Sequence, residues 1–313
     1  MTTSLVGLKI GHATDTEHHT GCTVFLCPAG TVGGVDIRGP APGSRDTALL
    51  APDKSVTTVN AVLLTGGSAF GLAAADGVMR FLAERGIGHP TPIRPIPIVP
   101  TAVVYDLFLG RGQRLPDAEM GYAACLAASE QPPAQGNVGA GAGVTVGKWG
   151  GFQTMMKGGF GWASLTVEDL VVSAAAVVNA VGDVLTADGA VLAGARAADG
   201  QWLAERDPLR RFPERPPTLL GTNTTLVVVM TNARFSSKVE ANRLAQRAHD
   251  GLAIAVRPAH TTHDGDTAFA LAAGPVEAPF DLVANAAVEV TAEAIRNSVR
   301  HAATVAGVPG LAG

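Results

Sequence analysis

Asn223-Thr224-Thr225 opens an apolar, β-branched run, Leu226 to Met230, that closes in Thr231-Asn232, and it follows directly on a Pro/Arg-rich segment spanning 206–222. A hydroxyl side chain at the first position of a buried strand, next to an exposed segment, is where a chain could cut itself and expose a new N-terminal threonine. Such a residue is nucleophile and base at once. An α-amino group titrates near ~8 and is partly neutral at cellular pH, whereas a lysine amine near ~10.4 is almost wholly charged. On these residues alone a plainer reading stays open, in which Thr224 and Thr225 are ordinary β-formers at the head of a core strand.

A second group lies downstream. His260-Thr261-Thr262-His263-Asp264-Gly265-Asp266 has two histidines and two carboxylates within seven residues, the composition of a metal site. A hydrolase that activates water with a bound cation is therefore an alternative mechanism, although the spacing fits neither a helical HExxH nor a closed zinc site. If the segment is extended, Asp264 and Asp266 share a face, because side chains two apart in a strand point the same way. Thr65-Gly66-Gly67-Ser68, after the apolar Ala61 to Leu64, could cradle a phosphate, yet it has no P-loop lysine and no dinucleotide spacing. His18-His19 sits in a polar loop and reads as solvated.

The elements that must hold these groups follow from periodicity and turn chemistry. Residues 4–10, 21–27 and 32–37 read as strands, as do 61–64, 170–178, 224–230 and 267–272. Helical patterns cover Ala69 to Glu84 behind Ser68, Asp117 to Ser129, Ser236 to Leu252 with Ser236 as cap, and Leu282 to Val305. Pro90 to Pro100 is an extended connector. Gly136 to Gly143 alternates glycine with small residues and invites another backbone or a substrate to lie against it. Residues 194–222 are the most polar stretch and the expected exposed, mobile loop. Strands and helices mix without strict βαβ alternation, which points to a layered α/β or α+β architecture in one domain or two small ones.

Composition narrows the function. The 313 residues are 47% hydrophobic and 16% charged, enough to bury a sizeable core. A net charge of −4, with no Lys/Arg cluster beyond 206–215, argues against a nucleic-acid surface and for small neutral or zwitterionic ligands. No window holds 18 uninterrupted apolar residues, so no membrane span is expected. Cys22, Cys27 and Cys125 form no CxxC pair, and the N-terminus has no charged head with an apolar core, so a cytoplasmic location is expected.

Five strings then occur in order over nearly the whole chain: Gly34-Val35-Asp36-Ile37-Arg38-Gly39, Leu64 to Leu72 (LTGGSAFGL), Gly136-Asn137-Val138-Gly139-Ala140-Gly141, Asn223-Thr224-Thr225 and Asp264-Gly265-Asp266-Thr267. Each is weak alone. Together they resemble the DmpA-type peptidases, a family that includes L-aminopeptidase/D-esterases, β-aminopeptidases and the nylon-oligomer (6-aminohexanoate-oligomer) endohydrolase. The resemblance implies an α+β fold, an αββα four-layer sandwich of the N-terminal-nucleophile kind, over residues 1–313. It implies autocleavage between Asn223 and Thr224 into a large subunit (1–223) and a small one (224–313), and a homotetramer of such processed heterodimers, with no metal or organic cofactor.

Within that family the chain is most similar to the nylon-oligomer hydrolase branch. Tyr105 in Val-Val-Tyr-Asp, Lys148 in Val-Gly-Lys, Asn179 before Ala-Val-Gly-Asp, and the pair Asp264/Asp266 match that branch's site pattern. The β-aminopeptidase branch has a serine nucleophile and Ser-x-Glu where this chain has Asp-Gly-Asp. What the resemblance implies is a catalytic set of Thr224, Lys148, Asn179, Tyr105, Asp264 and Asp266. Thr224 would attack the amide, Asn179 and the Tyr105 hydroxyl would face the oxyanion, and Lys148 would hydrogen-bond the nucleophile and hold down the pKa of its amine. One aspartate would orient Lys148 while the other holds a cationic amine. Read as residues only, Lys148 could be a surface lysine, Asn179 a turn residue and Tyr105 a core aromatic, and Lys157 is a rival lysine. The implied substrates are small peptides or amide oligomers, with aminopeptidase, D-amino-acid amidase/esterase or β-aminopeptidase activity as alternatives. An uncleaved binding or acetyl-transfer protein on the fold of the ornithine acetyltransferases is the remaining class.

Overall fold

Strands Leu170–Asn179, Thr224–Ala233 and Thr267–Val276 are buried on both faces along most of their length, so each must be covered from two sides. The computed structural model describes residues 7–206 and 223–313. The three strands form the middle of a five-stranded sheet in the order Val32–Ile37, Thr267–Val276, Thr224–Ala233, Leu170–Asn179, Phe160–Val167. The Thr224 strand is its centre. It runs antiparallel to Leu170–Asn179 and parallel to Thr267–Val276. A second five-stranded sheet has the order Lys9–Asp15, Thr20–Leu26, Ala61–Thr65, Thr101–Val103, Ser44–Arg45.

The period of two sorts the side chains. Val171, Ala175, Val177, Leu226, Val228, Met230, Phe269 and Leu271 meet Phe25, Val62 and Leu64 of the other sheet. Their neighbours Val172, Ala174, Ala176, Val178, Val227, Val229, Ala268 and Ala270 turn the other way, onto helices Lys238–Ala255 and Phe280–Arg300. Helices Ala74–Ala83 and Ala118–Leu126 cover the outer face of the second sheet through Val78, Phe81, Leu82, Ala124 and Cys125. The result is the expected αββα sandwich. Each fully buried Val, Leu or Phe stabilises it by about 1.5–3 kcal/mol. Small residues set the spacing: a Cβ on Gly34 would lie 2.3 Å from the Ala241 carbonyl carbon, so this edge strand touches its helix through bare backbone.

Several elements differ from expectation, each for a local reason. The first α-helix does not start at Ala69 behind a Ser68 cap: Gly67 and Ser68 both have positive φ, and a 3-10 turn, Ser68–Ala73, precedes the α-helix Ala74–Ala83. Its Gly-Gly-Ser cradle is filled by the protein itself. The Gly67 amide donates to Asp106 Oδ1 at 2.7 Å, and a Cβ on Gly66 would lie 2.0 Å from Asp106 Oδ2, so a carboxylate occupies the place a phosphate would take. The cap of Lys238–Ala255 is Ser237 rather than Ser236, in a capping box with Glu240. The last helix ends at Arg300, not Val305, and the chain reverses through Ala306 and Gly307, both at positive φ. Strand Phe160–Val167 gives no alternating signal in sequence, because its outer half is exposed on both sides. The first strand begins at Lys9, with residues 1–6 outside the described residues. Of the expected loop 194–222, the part 207–222 also lies outside them, while helix Leu203–Arg206 and the buried Ala195 and Ala204 show the rest to be packed. Among the described residues no helix is long and apolar enough to cross a membrane.

Candidate active site

Thr224 is the first residue of the central strand and is 5% exposed. The strand starts there because Asn223 leaves the sheet for a single parallel bridge to Asp264. That bridge brings the turn after the next helix against the Asn223-Thr224 peptide. The Asn223 carbonyl oxygen accepts two hydrogen bonds, from the Gly265 amide at 2.9 Å and from the Thr224 hydroxyl at 2.5 Å. The hydroxyl therefore lies against the carbonyl of its own preceding residue. Gly265 must be glycine for this approach, since a Cβ there would stand 2.8 Å from Thr224 Oγ1.

The two aspartates are both beside Thr224 but are not equivalent. Asp266 is saturated: Oδ1 accepts from the Thr225 amide at 2.6 Å, and Oδ2 accepts from the His260 amide at 3.1 Å and pairs with His260 Nδ1 at 2.8 Å. Asp264 uses Oδ2 to accept from the Thr261 amide at 2.6 Å, and its buried Oδ1 has no hydrogen-bond partner among the described residues. Burial first, and then the charge of Asp266, push the Asp264 carboxyl up to about 7. The metal-site composition of 260–266 takes another form in three dimensions. His260 turns its Nδ1 to Asp266, and among the described residues no three His, Cys, Asp or Glu side chains are gathered to hold an ion.

Lys148 and Asn179 are neither surface nor turn residues, for both are fully buried. Asn179 ends its strand directly opposite Thr224 in the ladder. Lys148 Nζ donates to the Asn179 carbonyl and to Asn179 Oδ1, each at 2.9 Å, and the Thr145 amide donates to the same Oδ1 at 3.1 Å. Burial pushes the Lys148 amine down to about 7, against the opposing pull of Asp264 and Asp266. At neutral pH a large neutral fraction can thus accept a proton. Tyr105 is half-buried and meets Asn179 through its main chain, with Asn179 Nδ2 donating to the Tyr105 carbonyl at 3.0 Å; its ring packs on Phe108 at 5.1 Å.

The rival Lys157 has a different environment. Its Nζ donates to the carbonyls of Gly141, Val144 and Gly158 at 3.0–3.1 Å, with the buried Asp106 carboxylate as electrostatic partner. Lys157 lies opposite Thr145, so it ties down the glycine-rich segment that presents Thr145 to Asn179. Lys157→Met is expected to lower the unfolding free energy by about 3 kcal/mol, since three carbonyls and a buried carboxylate lose their cation. Urea unfolding with an unchanged slope checks this.

Sequence reasoning missed the Gly265 amide and the His260–Asp266 pair. The signal for the first was present in Asp-Gly-Asp, where a glycine beside a reactive hydroxyl marks close backbone approach. The site is thus a buried hydroxyl next to a gripped carbonyl, flanked by an amine and a carboxyl both brought near neutrality. Against that geometry, the sequence profile of peptidase family S58 matches residues 2–312. The chain belongs to peptidase family S58. It is 41% identical to an uncharacterized aminopeptidase of Mycobacterium leprae, over 99% of this chain and 93% of that one. It is 33% identical to the 6-aminohexanoate-oligomer endohydrolase of Paenarthrobacter ureafaciens, over 87% of this chain and 75% of that one. Among solved structures, a Burkholderia sp. β-aminopeptidase superposes with a TM-score of 0.71 at 22% identity, covering 99% of this chain and 91% of that one. The L-aminopeptidase D-Ala-esterase/amidase of Ochrobactrum anthropi superposes at 0.70 and 19%, covering 95% and 84%. The latter is described as a variant of the Ntn-hydrolase fold, the fold found here. This S58 chain is accordingly a hydrolase acting on peptide bonds.

Proposed function

We propose that the protein is a self-processing N-terminal-threonine amidohydrolase that cleaves small peptides or amide oligomers through an acyl-enzyme on Thr224. The observation that carries this is the Asn223 carbonyl held between the Thr224 hydroxyl and the Gly265 amide. In the intact chain Thr224 Oγ attacks the Asn223 carbonyl carbon, and its proton passes to neutral Lys148 or another local base. Negative charge grows on the Asn223 oxygen, where the Gly265 N–H already points. The C–N bond to Thr224 breaks, the departing nitrogen takes up a proton, and an ester joins Asn223 to Thr224 Oγ. Water then opens the ester, leaving a carboxylate on Asn223 and a free amine and hydroxyl on Thr224.

The mature residue repeats the chemistry on a substrate amide, with its own amine as base. Asn179, opposite Thr224, and Tyr105 serve the substrate's oxyanion. Asp264 Oδ1, without a partner among the described residues, is suited to an ammonium, that of Thr224 itself or of a substrate with a free amino end. This supports aminopeptidase action and hydrolysis of ω-amino amide oligomers alike, as in the two groups of relatives. Denaturing electrophoresis with N-terminal sequencing tests the reading. Purified protein should give two fragments, the smaller beginning Thr-Thr-Leu-Val, and should release amine from L-Ala, D-Ala or β-Ala p-nitroanilides or from aminohexanoate oligomers. Fully active protein that runs as one intact chain would remove Thr224 processing from the scheme.

A further inference from the structure

We infer that His260 is a positioning residue for self-cleavage, holding the Asp266 carboxylate in the orientation that fixes the backbone beside Thr224. The inference rests on the self-processing reading above and assigns a role to a side chain that the reaction as written does not touch. The connection is short. His260 Nδ1 lies 2.8 Å from Asp266 Oδ2, and Asp266 Oδ1 accepts the Thr225 amide at 2.6 Å. One carboxylate thus joins an imidazole to the peptide immediately after the reacting residue. Asp266 is 2% exposed, and a buried carboxylate held at both oxygens has little freedom to rotate.

The placement of His260 has a conformational penalty that packing must offset. Its φ is +55°, in the left-handed region that is uncommon outside Gly, though Asn, Asp and His enter it more often than other residues. At this φ the His260 amide also reaches Asp266 Oδ2, at 3.1 Å, so main chain and ring converge on one oxygen. Behind the ring stands His249, fully buried, with its centroid 4.8 Å away at 68° and its Nε2 3.0 Å from the Asp36 carbonyl. Burial pushes the His249 imidazole below its ordinary pKa, which favours the uncharged form of the ring that packs against His260. His260 is therefore wedged between an aromatic edge and a carboxylate, with its Nδ1 hydrogen directed to Asp266.

The left-handed backbone permits variants that separate the ring's role from folding. His260→Gly relieves φ and removes the Nδ1 donor; His260→Asn tolerates the same φ and offers a side-chain N–H at short range. Starting from freshly translated full-length chain, His260→Gly is expected to slow fragment formation about tenfold or more, with a melting curve like that of the parent. His260→Asn is expected to recover most of the rate. After processing is complete, His260→Gly should lower kcat with little change in KM, because the role assigned to the imidazole runs through Asp266 to the backbone beside Thr224. Parent-like cleavage by His260→Gly, or an Asn variant as slow as the Gly variant, would overturn the positioning role while leaving the self-processing reading intact. Cleavage of Thr224→Ala run alongside, or a wild-type chain that never divides, would instead remove that reading and the role of His260 with it.

Discussion

Thr224→Ala is expected to remain one polypeptide and to lose amide hydrolysis by a factor on the order of 10⁴–10⁶, the range seen when a covalent nucleophile is deleted. The loss has a single physical source. Alanine keeps the backbone, and the Asn223 carbonyl keeps its bond from the Gly265 amide, so the turn that presents it is undisturbed. The deleted hydroxyl donates only to that same carbonyl, and its removal should change the unfolding free energy by no more than about 1 kcal/mol. Cooperative melting with no fragments would thus mark a chemical defect, not a folding one. Thr224→Ser restores the hydroxyl without the methyl that limits its rotamers, so it should divide and turn over, only more slowly. Mass spectrometry of the purified variants and steady-state rates on an alanine p-nitroanilide decide the matter; division of the alanine variant at the same bond would place the nucleophile elsewhere.

The second large effect belongs to Lys148. Lys148→Met fills nearly the same volume but cannot take the Thr224 proton, so fragment formation should slow by about 10²–10⁴-fold, the usual worth of a positioned general base. Stability should move with pH in a way that isolates the amine. The folded protein holds Lys148 at about 7, below the ordinary value of 10.5, so folding is opposed wherever the unfolded lysine is charged and the folded one must give up its proton or be charged in a dry site. That opposition is complete below pH 7 and fades as pH climbs toward 10.5. Wild-type stability should accordingly gain from Lys148 as pH rises through this window, while Lys148→Met lacks that component. Lys157, also pushed down to about 7, contributes equally to both proteins and cancels in the difference. Asp264 acts in the opposite sense: raised to about 7, it favours the folded state below that pH and withdraws the support as pH rises from about 4 to 7. Denaturant midpoints of the two proteins from pH 5 to 10 check the prediction, and parallel curves would remove buried Lys148 as the cause.

The layers were legible because the strands that matter are near-continuous apolar runs, apolar on both faces, as in Val171 to Val178 and Leu226 to Met230. Such strands can exist only in the middle of a sandwich. The family strings put Thr224, Asn179 and Lys148 in one set, and the ladder register and hydrogen bonds bring them together in space. What sequence could not supply was the direction of individual polar atoms. Asp264 and Asp266 are identical in type and two residues apart, yet one is held at both oxygens while the Oδ1 of the other has no partner among the described residues, because Asp264 bridges Asn223 while Asp266 faces the Thr225 amide and His260. Main-chain donors were harder to read: the Gly265 N–H is the donor on the Asn223 carbonyl, and only the glycine of Asp-Gly-Asp hinted at so close a backbone approach. Phe160–Val167 escaped notice since an edge strand with one exposed end has no reason to alternate.

The central position of the Thr224 strand has a bearing on how the two products would behave. A break ahead of Thr224 leaves that strand and Thr267–Val276 in one piece, clasped between Leu170–Asn179 and Val32–Ile37 of the other. The daughter chains would be interleaved like fingers, and neither could depart without tearing open both of its flanking ladders. Melting would become a reaction that ends in separate daughter molecules, so its midpoint should climb with protein concentration more steeply than that of the undivided chain.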